Sequence, residues 1–502
     1  MSPTPFSEKR QETRKTIGIN DNVFIEIPLP FVGEKSKLVQ KVETLSQNGL
    51  SFKVSVQDGY FFPETPLRKV KVLNNNSQNM FDIAEIRHVT PLDSEVGCYR
   101  IGLQLGMKQK TNPAASVNFE LTSEQKALQE TVRKFVRTEI IPVSAYYDRT
   151  SEFPWDILRK AHDLGIFSCY IPEQYGGGGL GLLETALISE ELGAGCTAML
   201  TSIMVNLLAT GPLLLAGTEE QKEKYLTPNC HKLTLFSFCF TEPDAGSDPS
   251  RIATTAKLIG DEYLINGSKC FITNAAVADY LVVFATIDKA LKTGGITAFI
   301  IPSKTEGVKI GKTLDKMGQR ASNTAEILFD NVRIPKINRI GEEGAGFKIG
   351  LQSLARSRVN VAAGAVGLAR TAMELALKHV HTRVQFNKPL SNFQYVQFRL
   401  TDIARDIEAG RLLAWKAAFL HDRGYRFAKE SSMAKDFCAD LAMRASSEAL
   451  DLFGGYGYSK ELPMEKMMRD AKLLQIYEGP TPVHKTIVFR ELAKEHGFEA
   501  IH

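Results

Sequence analysis

In the first hundred residues, apolar positions alternate with polar ones in short runs. Val23-Phe-Ile-Glu-Ile-Pro, Leu50-Ser-Phe-Lys-Val-Ser-Val and Cys98-Tyr-Arg-Ile-Gly-Leu have this texture, and turn residues separate them. A period of two fits a half-buried strand, so residues 8–105 are predicted to form a small all-β unit. Gly106-Met-Lys-Gln-Lys-Thr-Asn-Pro-Ala-Ala-Ser is polar and aperiodic and predicts a linker over 106–118. The period then changes. Thr122-Ser-Glu-Gln125 is a capping-box pattern, and Leu128, Val132, Phe135 and Val136 share one helical face. Helical texture continues to about Leu226, which predicts an α domain over 119–235. From Phe236 to about Ile340 the texture is β again, within a domain assigned to 236–346. There, Asn266-Gly267 between Tyr263-Leu-Ile and Cys270-Phe-Ile-Thr predicts a hairpin, and Ile296–Pro302 and Ala325–Phe329 predict strands. From Phe347 the chain is helical; alanine-rich Val359–His381 and Phe393–Leu420 suit close packing in a C-terminal α domain over 347–498.

Length agrees with several domains, since 502 residues exceed the roughly 250–300 that one core usually serves. With 43% hydrophobic and 24% charged residues, the chain has ample material for folded cores. A net charge of +4 gives no reason to invoke nucleic acid. Seven cysteines without a C-x-x-C pair suggest reduced thiols rather than a disulfide framework or zinc site. No signal-peptide pattern opens the sequence, and the apolar stretch Met204–Ala216 is too short and interrupted to span a bilayer. The expectation is a soluble, cytoplasmic protein with no membrane span.

Gly176-Gly-Gly-Gly-Leu-Gly181 matches G-x-G-x-x-G, but Pro172 precedes it and helical sequence follows, so it reads as a turn rather than a dinucleotide site. No P-loop or H-E-x-x-H metal motif occurs. Phe240-Thr-Glu-Pro-Asp-Ala-Gly-Ser-Asp248 joins the first α region to the β region. Its tight turn is either an ordinary surface turn or a set of donors facing a polar ligand. The glycines of Phe453-Gly-Gly-Tyr-Gly-Tyr458 permit close backbone approach, as a pyrophosphate requires. Glu478 follows apolar Leu473-Leu-Gln-Ile and stands between Tyr477 and Gly479. It is either a solvated loop glutamate or a desolvated carboxylate suited to general-base work.

In order along the chain, Thr241-Glu-Pro-x-Ala-Gly-Ser-Asp, Phe271-Ile-Thr-Asn, Gly344-x-Gly-Phe347, Arg383-x-x-Phe386, Phe453-Gly-Gly-x-Gly-Tyr458, Met468-Arg-Asp-Ala-Lys and Tyr477-Glu-Gly resemble the acyl-CoA dehydrogenase family. The resemblance runs from about Phe119 to the C-terminus. It implies a helical domain, a β-barrel-like domain and a C-terminal four-helix bundle enclosing FAD and an acyl-CoA thioester. The implied reaction is α,β-dehydrogenation to the trans-2-enoyl-CoA, with electrons passed to an electron-transfer flavoprotein. Glu478 matches the catalytic base; the alternative base position of one subgroup is Ser357 here, which carries no carboxylate. Phe240, Thr241 and Ser247 match positions that contact FAD or the pantetheine arm, and Phe271 and Thr273 the pair beside the flavin ring. Arg358 and Gly479 match substrate-side positions, together with Ser247. Arg383, Phe386, Gln394, Gly454 and Gly455 match positions that hold the FAD of a neighbouring subunit, which implies a homodimer or homotetramer. Departures from the family pattern are Asp451 for Gln near the FAD diphosphate, Asn387 for Gly, and Pro480 and Pro482 after the base.

At the N-terminus, Arg10-Gln-Glu-Thr-Arg14 and Thr44-Leu-Ser-Gln-Asn-Gly49 together resemble the PilZ domain, a six-stranded barrel that binds cyclic di-GMP. Two guanidiniums can grip phosphates and guanine edges bidentately. The resemblance implies a nucleotide site formed by Arg10, Arg14, Ser46 and Gly49.

Overall fold

A computed structural model describes residues 120–498 in full and, before them, the backbone of six strands. The chain divides into two compact units, at Ala115 and Ser116. In the first, β1 (Phe24–Pro28), β2 (Lys37–Ser46), β3 (Gly49–Ser55), β4 (Pro66–Asn74), β5 (Ser77–Pro91) and β6 (Cys98–Leu105) close into a barrel in the order β1-β2-β3-β6-β5-β4. Ser46 pairs with Gly49 across the β2–β3 connection. Arg10, Arg14 and the segment 106–118 lie outside the described residues.

The second unit opens with α1 (Ser123–Phe135), where Thr122 and Gln125 cap each other reciprocally at 3.0 and 3.2 Å. It continues through α2 (Ile141–Thr150), α3 (Trp155–Asp163), α4 (Leu182–Gly195), α5 (Thr197–Ala216) and α6 (Glu219–His231). By length and composition α5 would cross a membrane, but 83% of its most apolar window is buried inside the fold. No strand lies between α3 and the glycine-rich turn before α4. At Gly177 a Cβ would stand 2.1 Å from the Ile171 carbonyl oxygen, so the glycine serves packing. The first free amides of α4 are taken by Asp422, which accepts from Leu182 and Leu183 at 2.7 and 3.0 Å. A phosphate would find that helix end occupied.

Strands β7 (Phe236–Cys239), β8 (Thr255–Ile259), β9 (Glu262–Thr273), β10 (Tyr280–Thr286), β11 (Ile296–Pro302), β12 (Val308–Thr313), β13 (Thr324–Pro335) and β14 (Arg339–Ile340) follow. They form a sheet ordered β12-β13-β9-β8-β10-β11-β14, with β7 parallel to β10. The hairpin predicted at Asn266-Gly267 is not there. Strand β9 runs straight through it, and the chain reverses instead between β8 and β9, at Gly260-Asp261. Gly267 has φ +148°, and a Cβ on it would stand 2.5 Å from Thr254 Oγ1. The glycine is there for close approach within a strand, beside an irregularity in the β9–β13 register.

The C-terminal part holds α7 (Gly346–Thr382), the small strands β15 (Val384–Gln385) and β16 (Lys388–Pro389), α8 (Gln394–Asp422), α9 (Ala428–Phe453), α10 (Gly455–Tyr458), α11 (Met464–Leu474) and α12 (Thr481–Glu495). Helices α7, α8 and α9 pack on one another, and α11 and α12 against α9. Their shared core is built on alanine, including Ala362, Ala365, Ala369, Ala414, Ala439 and Ala442. Helix α4 crosses α7 so closely that a Cβ on Gly367 would stand 1.9 Å from the Glu190 carbonyl oxygen.

Candidate active site

Strand β7 delivers Phe240 and Thr241 into a tight turn closed by mutual backbone bonds of 3.1 Å between Glu242 and Ala245. A buried ion pair holds the turn from below. Lys269 on β9 donates to Glu242 at 2.7 Å, and to the carbonyls of Phe240 and Phe284 at 3.2 and 2.7 Å. The Glu242 carboxylate also accepts the amides of Ala253 and Thr254. Phe240, Thr241 and Ser247 thereby reach the wall of a cavity of about 1170 Å³, which Phe271, Thr273, Arg358, Glu478 and Gly479 also line. Eight of the candidate residues, from three separate stretches of sequence, meet in that one space. Its volume exceeds the roughly 300–1,000 Å³ of a site for one small molecule and suits two ligands together.

Glu478 sits on the turn between α11 and α12 with φ +54°. Ser357 on α7 donates its hydroxyl to Oε1 at 2.7 Å. The other oxygen, Oε2, is buried and has no hydrogen-bond partner. Burial pushes the carboxyl's pKa up to about 6, against the lowering pull of the Ser357 hydroxyl and the Arg358 and Lys435 charges. A carboxylate with one held and one unpartnered oxygen is equipped to take a proton. Arg358, itself buried, donates Nε to the Glu478 carbonyl at 3.2 Å.

Arg383, Gly454 and Gly455 line a separate cavity of about 620 Å³. Phe386 is 87% exposed, and Gln394 is exposed at the start of α8. None of these five residues reaches the first cavity.

Models of the acyl-CoA dehydrogenase N-terminal, middle and C-terminal domains match residues 122–232, 237–332 and 344–493. A probable acyl-CoA dehydrogenase of Bacillus subtilis (strain 168) is 43% identical over 382 residues, 75% of this chain and all of the relative. The chain belongs to the acyl-CoA dehydrogenase family. The solved structure of butyryl-CoA dehydrogenase from Megasphaera elsdenii is 39% identical and superposes with a TM-score of 0.74, covering 75% of this chain and 100% of its own. The structure of PigA with FAD and proline, 29% identical, superposes with a TM-score of 0.73 over 76% of this chain and 100% of its own.

FAD is the cofactor of this acyl-CoA dehydrogenase, and the residues present fit it. Phe271, at φ +57°, leaves a flat ring 67% exposed beside the first cavity. Gly454 and Gly455 have open space where a Cβ would stand, as a cradle for a phosphate requires. Gly457, by contrast, packs: a Cβ there would lie 2.4 Å from the Leu450 carbonyl oxygen.

The departures from the family pattern find local accommodation. Asp451 is paired with Arg399 at 3.1 Å, so its charge is countered where it borders the second cavity. Asn387 takes φ +62°, a region that asparagine tolerates better than most residues. Pro480 precedes α12 and Pro482 lies in its first turn, where helices need no amide donor.

Sequence reasoning missed two residues at this site. Lys435 on α9 donates to the Gly479 carbonyl at 2.8 Å, and His484 on α12 meets the same oxygen at 2.8 Å. A lysine inside the alanine-rich stretch of α9 was the available signal for the first; nothing local marked His484.

Proposed function

We propose that this acyl-CoA dehydrogenase removes one hydrogen each from Cα and Cβ of an acyl-CoA thioester, giving the trans-2-enoyl-CoA, with Glu478 as the base. The observation that carries this reading is Glu478 itself, a residue on the wall of a cavity large enough for cofactor and thioester, whose Oε2 is buried and unpartnered. Cleavage of the Cα–H bond sends the proton to Oε2 and moves the electron pair toward the thioester carbonyl. The Glu478 backbone N–H donates to no other backbone group among the described residues, which leaves it free to stabilise that oxygen. Bound FAD supplies the acceptor for the hydride that leaves Cβ.

In this reading Phe271 and Thr273 wall the flavin ring, while Phe240, Thr241 and Ser247 hold FAD or the pantetheine arm. Arg358 and Gly479 stand beside the thioester. Arg383, Phe386, Gln394, Gly454 and Gly455 hold the FAD of a second copy, in a homodimer or homotetramer; the separation of the two cavities supports this. Electrons leave through an electron-transfer flavoprotein.

The test is anaerobic bleaching of the flavin spectrum by butyryl-CoA, octanoyl-CoA and palmitoyl-CoA. Glu478→Gln is expected to keep FAD and to bleach about 10²–10⁴-fold more slowly. No bleaching with any chain length would reduce the protein to a non-catalytic sensor or scaffold. Fast reoxidation by oxygen, with peroxide formed at each turnover, would make it a flavin oxidase.

We further infer that the N-terminal barrel is PilZ-like and takes cyclic di-GMP. The closed antiparallel order of six strands supports the fold, and Ser46 facing Gly49 across a two-residue connection supports the turn. Arg10 and Arg14 supply the chemistry for a bis-phosphate guanine ligand. Calorimetry with cyclic di-GMP is expected to show binding that Arg10→Ala/Arg14→Ala abolishes; no heat with the wild type overturns it.

A further inference from the structure

The turn that carries Glu478 places two consecutive residues at positive φ, +54° at Glu478 and +98° at Gly479. A glutamate is disfavoured there and stays only where its surroundings over-determine it. Three helices supply that determination. Arg358 of α7 ties the Glu478 carbonyl at 3.2 Å, while Lys435 of α9 and His484 of α12 converge on the Gly479 carbonyl, each at 2.8 Å. These bonds fix the two peptide planes that follow the Glu478 Cα, and so the direction of its side chain.

His484 is fully buried and does not line the cavity, so it does not reach the substrate. Its ring packs against Gly479, where a Cβ would stand 3.3 Å from Nε2. Because a carbonyl only accepts, Nε2 carries the proton. The ring is neutral: burial, with the charges of Arg358, Lys435 and Lys485 around it, holds its pKa down to about 3 despite the Gly479 bond. A neutral imidazole adds a donor to this crowded corner without adding a third charge beside Arg358 and Lys435.

We propose that His484, acting with Lys435, is a positioning residue for the dehydrogenation: it locks the Glu478–Gly479 turn so that the carboxylate and the Glu478 N–H address the α-carbon and the thioester oxygen together. The proposal rests on the reading of Glu478 as the base.

The test uses the full-length FAD-loaded enzyme and whichever of butyryl-, octanoyl- and palmitoyl-CoA bleaches the wild type fastest. His484→Phe keeps a ring and removes the donor, whereas His484→Gln restores an N–H at similar reach. In single turnovers His484→Phe is expected to bleach about 10–100-fold more slowly, since small misplacements of a reacting group cost that much. Its substrate Kd should stay within about threefold, and His484→Gln should recover to within about fivefold of the wild type. A wild-type rate in His484→Phe, or a His484→Gln as slow as His484→Phe, overturns the proposal. Should His484→Phe not fold with FAD, Lys435→Met is read in the same way: slow chemistry at unchanged affinity supports the clamp, and a wild-type rate overturns it. Glu478→Gln is run in parallel; a wild-type rate there removes the base reading itself, whatever His484 does.

Discussion

Glu478 is held between opposed influences: burial raises its pKa to about 6, while the Ser357 hydroxyl and two neighbouring cations act to lower it. In the proposed reaction the form that accepts the α-proton is the carboxylate, so acid removes the active species. Bleaching at low substrate is therefore expected to fall as pH drops through about 6, by a factor that tends to ten per unit below it. Ser357→Ala takes away the hydroxyl that stabilises the charged form, so its acid limb moves to higher pH. A loss of that kind is worth on the order of one pH unit, or about 1.4 kcal/mol. A pH profile of kcat/KM for both proteins checks the sign, and an unmoved or lowered limb contradicts it. Ser357, at the position where the resemblance implies another subgroup's base, donates its hydroxyl to the proposed base here.

At the scale of elements, the cavity wall depends on how β7 and β9 are joined. Lys269, fully buried on β9, links Glu242 to the carbonyls of Phe240 and Phe284, and so holds together the turn that presents Thr241 and Ser247. Lys269→Met would strand the buried Glu242 carboxylate, a change expected to cost about 3–5 kcal/mol. Denaturant unfolding of the FAD-loaded proteins measures it, and Lys269→Met/Glu242→Gln should recover part of the loss. Some of these elements were legible in advance. The Thr122–Gln125 box marks a helix start because capping is chemistry between residues three apart. Asn266-Gly267 misled because a glycine that allows close approach and one that allows a turn look alike in sequence. Only the Thr254 backbone lying against Gly267 separates the two.

For the whole molecule, the division of the site into two cavities is the decisive fact. The candidate cofactor residues Phe240, Thr241, Ser247, Phe271 and Thr273 border one, and Arg383, Gly454 and Gly455 border the other; in the proposed reading a second copy completes the set. Arg383→Ala is expected to fold, since the residue lies at the end of α7 rather than in a core, yet to lose FAD on gel filtration. Absorbance per chain and sedimentation measure the two together; full retention of flavin would place the second cavity outside the cofactor site. The N-terminal barrel is additional to the family's unit, because a relative aligned over its whole length covers only 75% of this chain.

Taken alone, the sequence determined what depends on neighbours along the chain and on residue types at fixed spacing. That includes the α, β, α order after residue 119, the cap at Thr122 and the set of motifs that names the family. Tertiary structure decided what depends on distance through space. Glu478 as a lone loop residue had two readings, and only packing brings Ser357, 121 positions away, to its oxygen. The same packing sets Lys435, 44 positions away, against the Gly479 carbonyl, a contact no local pattern encodes. Hydrogen bonds and burial act over a few ångströms, and those ångströms are fixed only when helices from distant parts of the chain come together.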